Sequence, residues 1–567
     1  MGKRLPERSP QSFSGVKGRR RRFCLACMLV VSLSACTDEG NRADPAGTSG
    51  LPARQPPAAE SAPITITTVE EIVPSMAFKN GDTPTNNWHT RWAKEKHGID
   101  FKYLWTANSN AYLTKLRLSL TANEPLPDAF FVYDFQLAGD LMDAGKLLDI
   151  SEAFERYASP RLQELYARNP EAWYPVTRDG KKYGLPVLSA GDVQDTILFI
   201  RQDWLDKLKL DAPETLEEFE RVMDAFVRRD PDGNGLDDTI GMSVGIKDSL
   251  FSIAGDASWL FGAYGDAIPE QWIKLSDGEL SYGSIQPNAR QALAKYAEWM
   301  RKGYLDPEIA LMDGYQAAEA FNAGKSGIYF GAFWSIDWPL GEVGRNAPEA
   351  IVKAYPLPKG PDGQTARRGT PLSIGLLLFN EDFEHMEALL DYYDALYGFV
   401  FSEPSDELKY GFAEGYDYVL VDGEPSYDDA RIPGGKIEAK KSILTNDEPN
   451  IPYKQTKIFY ELYHGKKPES HYEKYLLGSG SGILQAGAVN YGMMDASIRD
   501  HFAGIPTPTM RDRNEYLRKL EKGAFTSMIY GDQPVESFDD FVRKWKLSGG
   551  DEITKEVNEW FRSVRSD

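Results

Sequence analysis

The chain of 567 residues carries 64 basic and 85 acidic residues, a net charge of −21. Such a surplus repels phosphate backbones and anionic lipid heads, which excludes nucleic acid as a partner. Three cysteines cannot build a disulfide framework, and a body this long exceeds one ordinary core and calls for at least two domains or lobes.

Residues 1–36 have the organisation of a secretory leader. Lys17 and Arg19 to Arg22 form a basic region. The apolar run Phe23 to Ala35 is too short for a membrane span, which needs about 20 residues. Leu33-Ser34-Ala35-Cys36 resembles a bacterial lipobox, which implies that the Cys36 thiol is acylated and becomes the first mature residue. Cys24 and Cys27 lie in the discarded segment, so their C-x-x-C spacing is neither redox nor zinc chemistry. Loss of the leader leaves 56 basic against 84 acidic residues, a net charge of −28. Residues 37–63, rich in Pro, Ala, Gly and polar groups, read as a flexible tether. No later segment has 18 consecutive apolar residues, so the expected attachment is to the outer face of the cell membrane through the lipid anchor only.

Order is expected from Ile64, where "ITITTV" alternates as a strand does. The amphipathic "NNWHTRWAKEKHGI" then predicts a helix, "DFKYLW" a strand, "AYLTKLRLSLTAN" a helix, "PDAFFVYD" a strand and "FQLAGDLMDAG" a helix. This is a β-α-β-α-β-α series of an α/β fold, in which ligands lie beyond the carboxyl ends of strands. That rule makes Tyr133 and Asp134 candidate ligand residues, with Asn80 and Trp88 in the first strand-to-helix connection beside them. The twelve Trp and 29 Tyr suit both core packing and stacking on the apolar faces of sugars.

Further along, "DPDGNGLDDTIG" places oxygen ligands where a tight loop points them at one hard cation. Asp230, Asp232 and Asn234 take positions one, three and five, Leu236 offers its carbonyl, and Asp238 stands at nine. Position twelve is Gly241 instead of the closing Glu, so remaining oxygens would come from Asp237, Thr239 or water. No second helix follows, and the expected role is a structural calcium site instead of a sensor. The six histidines offer no zinc spacing, and "GSGSG" at Gly478 to Gly482 lacks the flanks of a phosphate loop or a nucleophile elbow and is expected to be a flexible loop.

"DGKKYGLP" (Asp179 to Pro186), "LFIRQDWLDKLKLDAPETLEEF" (Leu198 to Phe219), the acidic loop, "FTSMIYGDQPVESFDDFV" (Phe525 to Val542) and "GGDEITKEVNEWF" (Gly549 to Phe561) carry a resemblance over nearly all of the chain after residue 64. They resemble the extracellular solute-binding protein family 1, and within it the large carbohydrate-binding lipoproteins of Gram-positive bacteria, to which alginate-binding periplasmic proteins are similar. The resemblance implies a type 2 periplasmic-binding-protein fold: two α/β lobes joined by hinge strands, with ligand between them. It places lobe 1 at 64–190, lobe 2 with the calcium loop at 191–370, a return to lobe 1 with an insertion at 371–480, and a C-terminal helical segment at 481–567 mainly in lobe 2. Residues Ser402 to Ser481 match least and are expected to shape the cleft rim.

The resemblance also implies a role. A lipid-anchored monomer captures a carbohydrate, expected to be an oligosaccharide, and delivers it to the permease subunits of an ABC importer, with no catalytic residues. "GKSGIYFGAFWSIDWPL" matches the family's strand and loop where an aromatic stacks on ligand, which points to Trp334, with Asp337 accepting hydroxyl hydrogen bonds. Gln194, just past the first crossing, and Tyr491 are further candidates, whereas Trp204 and Trp560 are expected to be packing residues. The competing reading is a secreted calcium-dependent polysaccharide hydrolase or lyase, since a glycosidase is recognised by carboxylate geometry that sequence does not show. A surface receptor that does not transport shares every feature of the first reading.

Overall fold

β-branched residues dominate Ile64–Ile72 (β1), and the strand they favour pairs in parallel with Ile99–Asn108 (β2), Ile66 opposite Phe101. Parallel neighbours need a crossover, here the helix Trp88–His97 (α1). Its start is fixed by a capping box: the Asn87 side chain accepts from the His89 and Thr90 amides, and Thr90 Oγ1 accepts from the Asn87 amide at 3.0 Å. Its end is Gly98 at φ 65°, a left-handed conformation that a side chain would strain. The helix Ser109–Ala122 (α2), the buried strand Ala129–Val132 (β3) and the helix Phe135–Asp143 (α3) complete the expected series. The computed structural model describes residues 63–122 and 124–565, so the leader, Cys36 and residues 37–62 of the tether lie outside the described residues.

The chain leaves this lobe through Leu185–Leu188 (β4) and builds a second sheet around Thr196–Arg201 (β5). The helix Leu216–Arg228 (α4) precedes the acidic loop, and β5 is flanked antiparallel by Ile328–Ala332 (β6) and Val352–Tyr355 (β7). It returns as Ser373–Phe379 (β8), which pairs antiparallel with both β3 and β4. Beyond the insertion come the helices Lys454–Tyr463 (α5), Ser481–Gly492 (α6), Pro508–Tyr530 (α7) and Asp551–Ser563 (α8). Every residue of β4, β5 and β6 is buried, as expected of strands covered on both faces. No helix among the described residues is long and apolar enough to cross a membrane.

Three segments, here called the crossings, lie side by side: 189–195, 367–372 and 448–453. The first is central. The Ser189 amide donates to the Leu372 carbonyl at 2.9 Å, the Asn450 amide to Leu188 at 3.0 Å and the Tyr453 amide to Ala190 at 2.6 Å. Beyond the third crossing, α5 packs on α6, with Phe459 against Phe333 and Gly487. The Gly478–Gly482 run is no loose loop: Gly478 ends one helix and Ser481 begins α6, with Gly480 at φ 92° between them.

Candidate functional site

The crossings are pinned by a buried polar network. Arg367 is fully enclosed, and its guanidinium donates to the Thr196 carbonyl (3.1 Å), Asn490 Oδ1 (2.7 Å), the Asn490 carbonyl (2.9 Å) and Ser497 Oγ (3.0 Å). Its Nη2 lies 3.5 Å from Asp195 Oδ2. Asp195 Oδ1 accepts the Thr370 amide and hydroxyl, each at 2.7 Å. Asp192 accepts the Thr456 hydroxyl with Oδ2 and leaves its buried Oδ1 without a partner. Burial is the main cause that pushes the Asp192 pKa up to about 7.

Beside these crossings a cavity of about 760 Å³ opens between the lobes. Phe135 and Tyr174 line it from the first lobe, Leu372 and Tyr453 from the crossings, and Phe502 and Phe561 from the C-terminal part. A second cavity of about 420 Å³ lies against α7 and shares Arg368, Asp500 and Phe502 with the first. Within it Glu521 is 4 % exposed, accepts the Tyr282 hydroxyl at 3.0 Å and is pushed up to about 8, chiefly by burial.

None of the eight sequence candidates lines either cavity. Tyr133 and Asp134 stand next to Phe135, which does. Tyr133 donates to Glu71 Oε1 at 3.0 Å, and Asp134 caps α3 through the Leu137 amide and pairs with Arg117. Gln194 and Trp334 border the first crossing, since the Gln194 amide donates to Thr370 Oγ1 (2.8 Å) and the Trp334 indole N–H to the Val193 carbonyl (2.8 Å). Asp337 is exposed next to them, with partial desolvation raising its pKa, and Tyr491 rests against Tyr460, ring centroids 5.5 Å apart.

Asn80 is an exposed turn residue at φ 58°. Trp88 is withdrawn into the core at 8 % exposure, its indole N–H donating to the Ala439 carbonyl at 3.0 Å. The insertion causes this: Tyr416 donates to Asp82 at 2.6 Å and Lys79 to the Gly435 carbonyl at 2.7 Å, which clamps the insertion over the β1–α1 connection. Trp204 is a core residue as expected, and Trp560 packs edge-on against Tyr174 and Phe502. The sequence reasoning passed over Trp338, 56 % exposed and stacked 6.3 Å from Trp334, and Tyr315, which meets Trp338 at 5.0 Å. Three rings in a row, two of them half exposed, are a surface suited to a flat C–H face.

In the acidic loop Asp230 accepts the Gly233 and Gly235 amides at 2.9 and 3.2 Å, holding the turn. The Asn234 amide nitrogen bridges Asp232 Oδ2 (2.7 Å) and Asp238 Oδ1 (3.2 Å), and the Leu236 amide donates to Asn234 Oδ1 (2.6 Å). Asp232 is raised, first by desolvation and then by Asp230 and Asp238, a crowding of carboxylates that a cation would relieve. One of the alternatives for the missing ligand is engaged elsewhere. Thr239 is buried and donates to the Phe226 carbonyl at 2.7 Å. A Cβ on Gly241 would meet the Tyr304 carbonyl oxygen at 2.9 Å, which is why no Glu can close the loop there. Among the described residues no three acidic or imidazole groups stand in ligating geometry. The donor set nonetheless fits a hard cation in chemistry, with three carboxylates and an amide in nine residues.

The two-lobe fold with a cavity at its crossings defines a class of solute-binding proteins. Residues 78–377 match the family described as bacterial extracellular solute-binding protein, and the chain belongs to it. It is 24 % identical over 503 residues to Lipoprotein LipO of Bacillus subtilis, covering 85 % of this chain and 91 % of LipO. It is 26 % identical over 402 residues to the polygalacturonan/rhamnogalacturonan-binding protein YtcQ of the same organism, covering 69 % and 72 %. Among solved structures it resembles the alginate-binding protein AlgQ2 without calcium ion, with a TM-score of 0.58, 16 % identity and coverage of 88 % and 98 %.

Proposed function

We propose that this chain captures a carbohydrate between its lobes outside the cell and hands it, unchanged, to the permease subunits of an ABC importer, acting as a monomer held to the membrane by lipid on Cys36. The observation that carries this reading is the cavity bounded by both lobes and by the crossings, where hinge closure would enclose a ligand. Relatives named for polysaccharides and their fragments support the carbohydrate class. Lobe 1 is assigned to 64–190 and 371–453 and lobe 2 to 191–370 and 454–567. The ligand contacts are assigned to the cavity lining, with Tyr133, Asp134, Gln194, Trp334 and Asp337 along its approaches. Isothermal titration of residues 62–567 against oligosaccharides, followed by chromatography of the recovered sugar, tests it. Saturable binding with intact sugar is expected, and shortened products would replace binding with hydrolysis or lysis.

The acidic loop is assigned to a structural calcium ion held by Asp230, Asp232, Asn234, the Leu236 carbonyl and Asp238, which would fix the end of α4 by neutralising the crowded carboxylates. Calcium at a hundred times its Kd is expected to stabilise the fold by about 2.7 kcal/mol. The melting temperature should rise with calcium, fall back with chelator, and stay unmoved by either in the double variant Asp230→Asn, Asp232→Asn. An unmoved parent protein would make the loop a plain Asx turn.

A further inference from the structure

The smaller cavity, against α7, holds two acids that the sugar reading does not use. Its mouth is formed by exposed side chains, Asp248 on one side and Arg518 and Lys522 on α7. Its interior is aromatic, with Tyr282 stacked on Trp545 at 5.0 Å between ring centroids and Trp272 5.5 Å from Tyr282. Glu521 sits on the buried face of α7, one turn from Leu517 and Phe525. Its Oε2 accepts the Tyr282 hydroxyl at 3.0 Å, whereas its Oε1 is buried and has no hydrogen-bond partner. Buried polar atoms are nearly always satisfied, and an exception in a cavity wall marks a place for a donor that arrives from outside.

Glu270 reaches the same cavity from the turn before Trp272. It stands at φ 60°, a left-handed conformation that a side chain disfavours, held by its amide on Ser284 Oγ (2.7 Å) and by the Leu250 amide on its Oε1 (3.1 Å). Strain kept where it brings a carboxyl to a cavity wall points to a use. The cations nearby do not answer these two acids. Arg368 lies 4.4 Å over the Phe251 ring and faces Asp500, and Lys522 donates to the Lys247 carbonyl. Arg518 attracts Glu521 from the mouth, but burial, first, and repulsion from Glu270 outweigh it and push the Glu521 carboxyl up to about 8. A cation would relieve that repulsion, its N–H would supply the missing donor, and ring faces attract positive charge. An anion would add to the repulsion, and a hard metal ion takes about six oxygens, more than these two acids supply.

We infer that this cavity is a second binding site, beside the sugar cavity, for an alkylammonium ion whose charged head meets Glu521 and Glu270 and whose alkyl part lies on the rings of Trp272, Tyr282 and Phe525. Titration calorimetry tests it with pentylammonium against pentanol, and with choline against the alcohol in which carbon replaces its nitrogen. At least one cation is expected to bind about tenfold tighter or more than its neutral counterpart. Since burial holds Glu521 largely protonated near neutral pH, binding should also expel a proton, read as a heat that changes with the ionisation enthalpy of the buffer. Glu521→Gln keeps the shape of the side chain and removes its charge. It is expected to lower cation affinity about tenfold or more and to abolish the proton release. Glu270→Gln, half-buried and on a separate element, is expected to weaken the cations by a comparable factor and reads the inference even where the first variant disturbs folding. Neutral compounds that bind as tightly as the cations, or cations that bind both variants as tightly as the parent, overturn it. So does binding of neither cation, and all of these results leave the sugar reading untouched.

Discussion

Replacing Arg367 with Met is expected to cost about 3–5 kcal/mol of folding stability, read from the urea midpoint at unchanged slope. The side chain is wholly enclosed and donates to Thr196, Asn490 and Ser497, groups that come from three parts of the chain. Its removal would leave the buried Asp195 without its cationic partner and the Asn490 carbonyl without its donor. Stranding a buried charge costs more than the intact pair ever contributed, because the desolvation of the survivor is no longer offset. Arg367→Lys is expected to recover only part of the loss, since an ammonium cannot reach the Thr196 carbonyl, Ser497 and both Asn490 oxygens with one rigid fork. Adding Asp195→Asn to Arg367→Met separates the causes. Recovery of more than half of the loss would locate it in the unpaired charge, and no recovery would locate it in the lost hydrogen bonds. A loss below about 1 kcal/mol in the single variant would mean that the crossings do not depend on this pin.

How far the sequence carried this reading depended on how local each signal was. The first three strands and helices were legible because each rests on its own periodicity and caps, such as Asn87 and Gly98 around α1. The turn of the acidic loop was legible for the same reason, since Asp230 holds the Gly233 and Gly235 amides a few residues away. Trp88 was not, because what buries it is the Ala439 carbonyl, 351 residues away in the segment least like the family. Arg367 was equally silent, since "ARRGT" has no pattern and its partners arrive from 195, 196, 490 and 497. The two acids of the smaller cavity stand at 270 and 521, so only the folded chain gathers them. Trp338 stands in the same motif as Trp334, and its distance of four residues was the one available hint that the two rings share a face.

The contribution of Asp192 to stability should fall as the pH rises from about 5 to 8. Its carboxyl is pushed up to about 7 in the fold, against an ordinary value near 3.9 in the unfolded chain. Between those values the folded state holds a proton that the unfolded state has released, so stability is full below about pH 4 and declines as pH climbs through 7. Glu521 acts in the same direction up to about 8, and Asp256, Asp417 and Asp500 up to about 6, each raised chiefly by burial. Asp192→Asn removes one of these contributions. Its stability relative to the parent is expected to rise by about 3 kcal/mol between pH 4.5 and 8, since each pH step of one over which the two states differ by a proton is worth roughly 1.4 kcal/mol. Any fixed cost of placing an amide beside Thr456 is the same at both pH values and cancels in that difference. A gap that stays constant with pH would mean that Asp192 ionises in the fold as readily as in water, with Arg367 then supplying the compensation that the orphaned Oδ1 lacks.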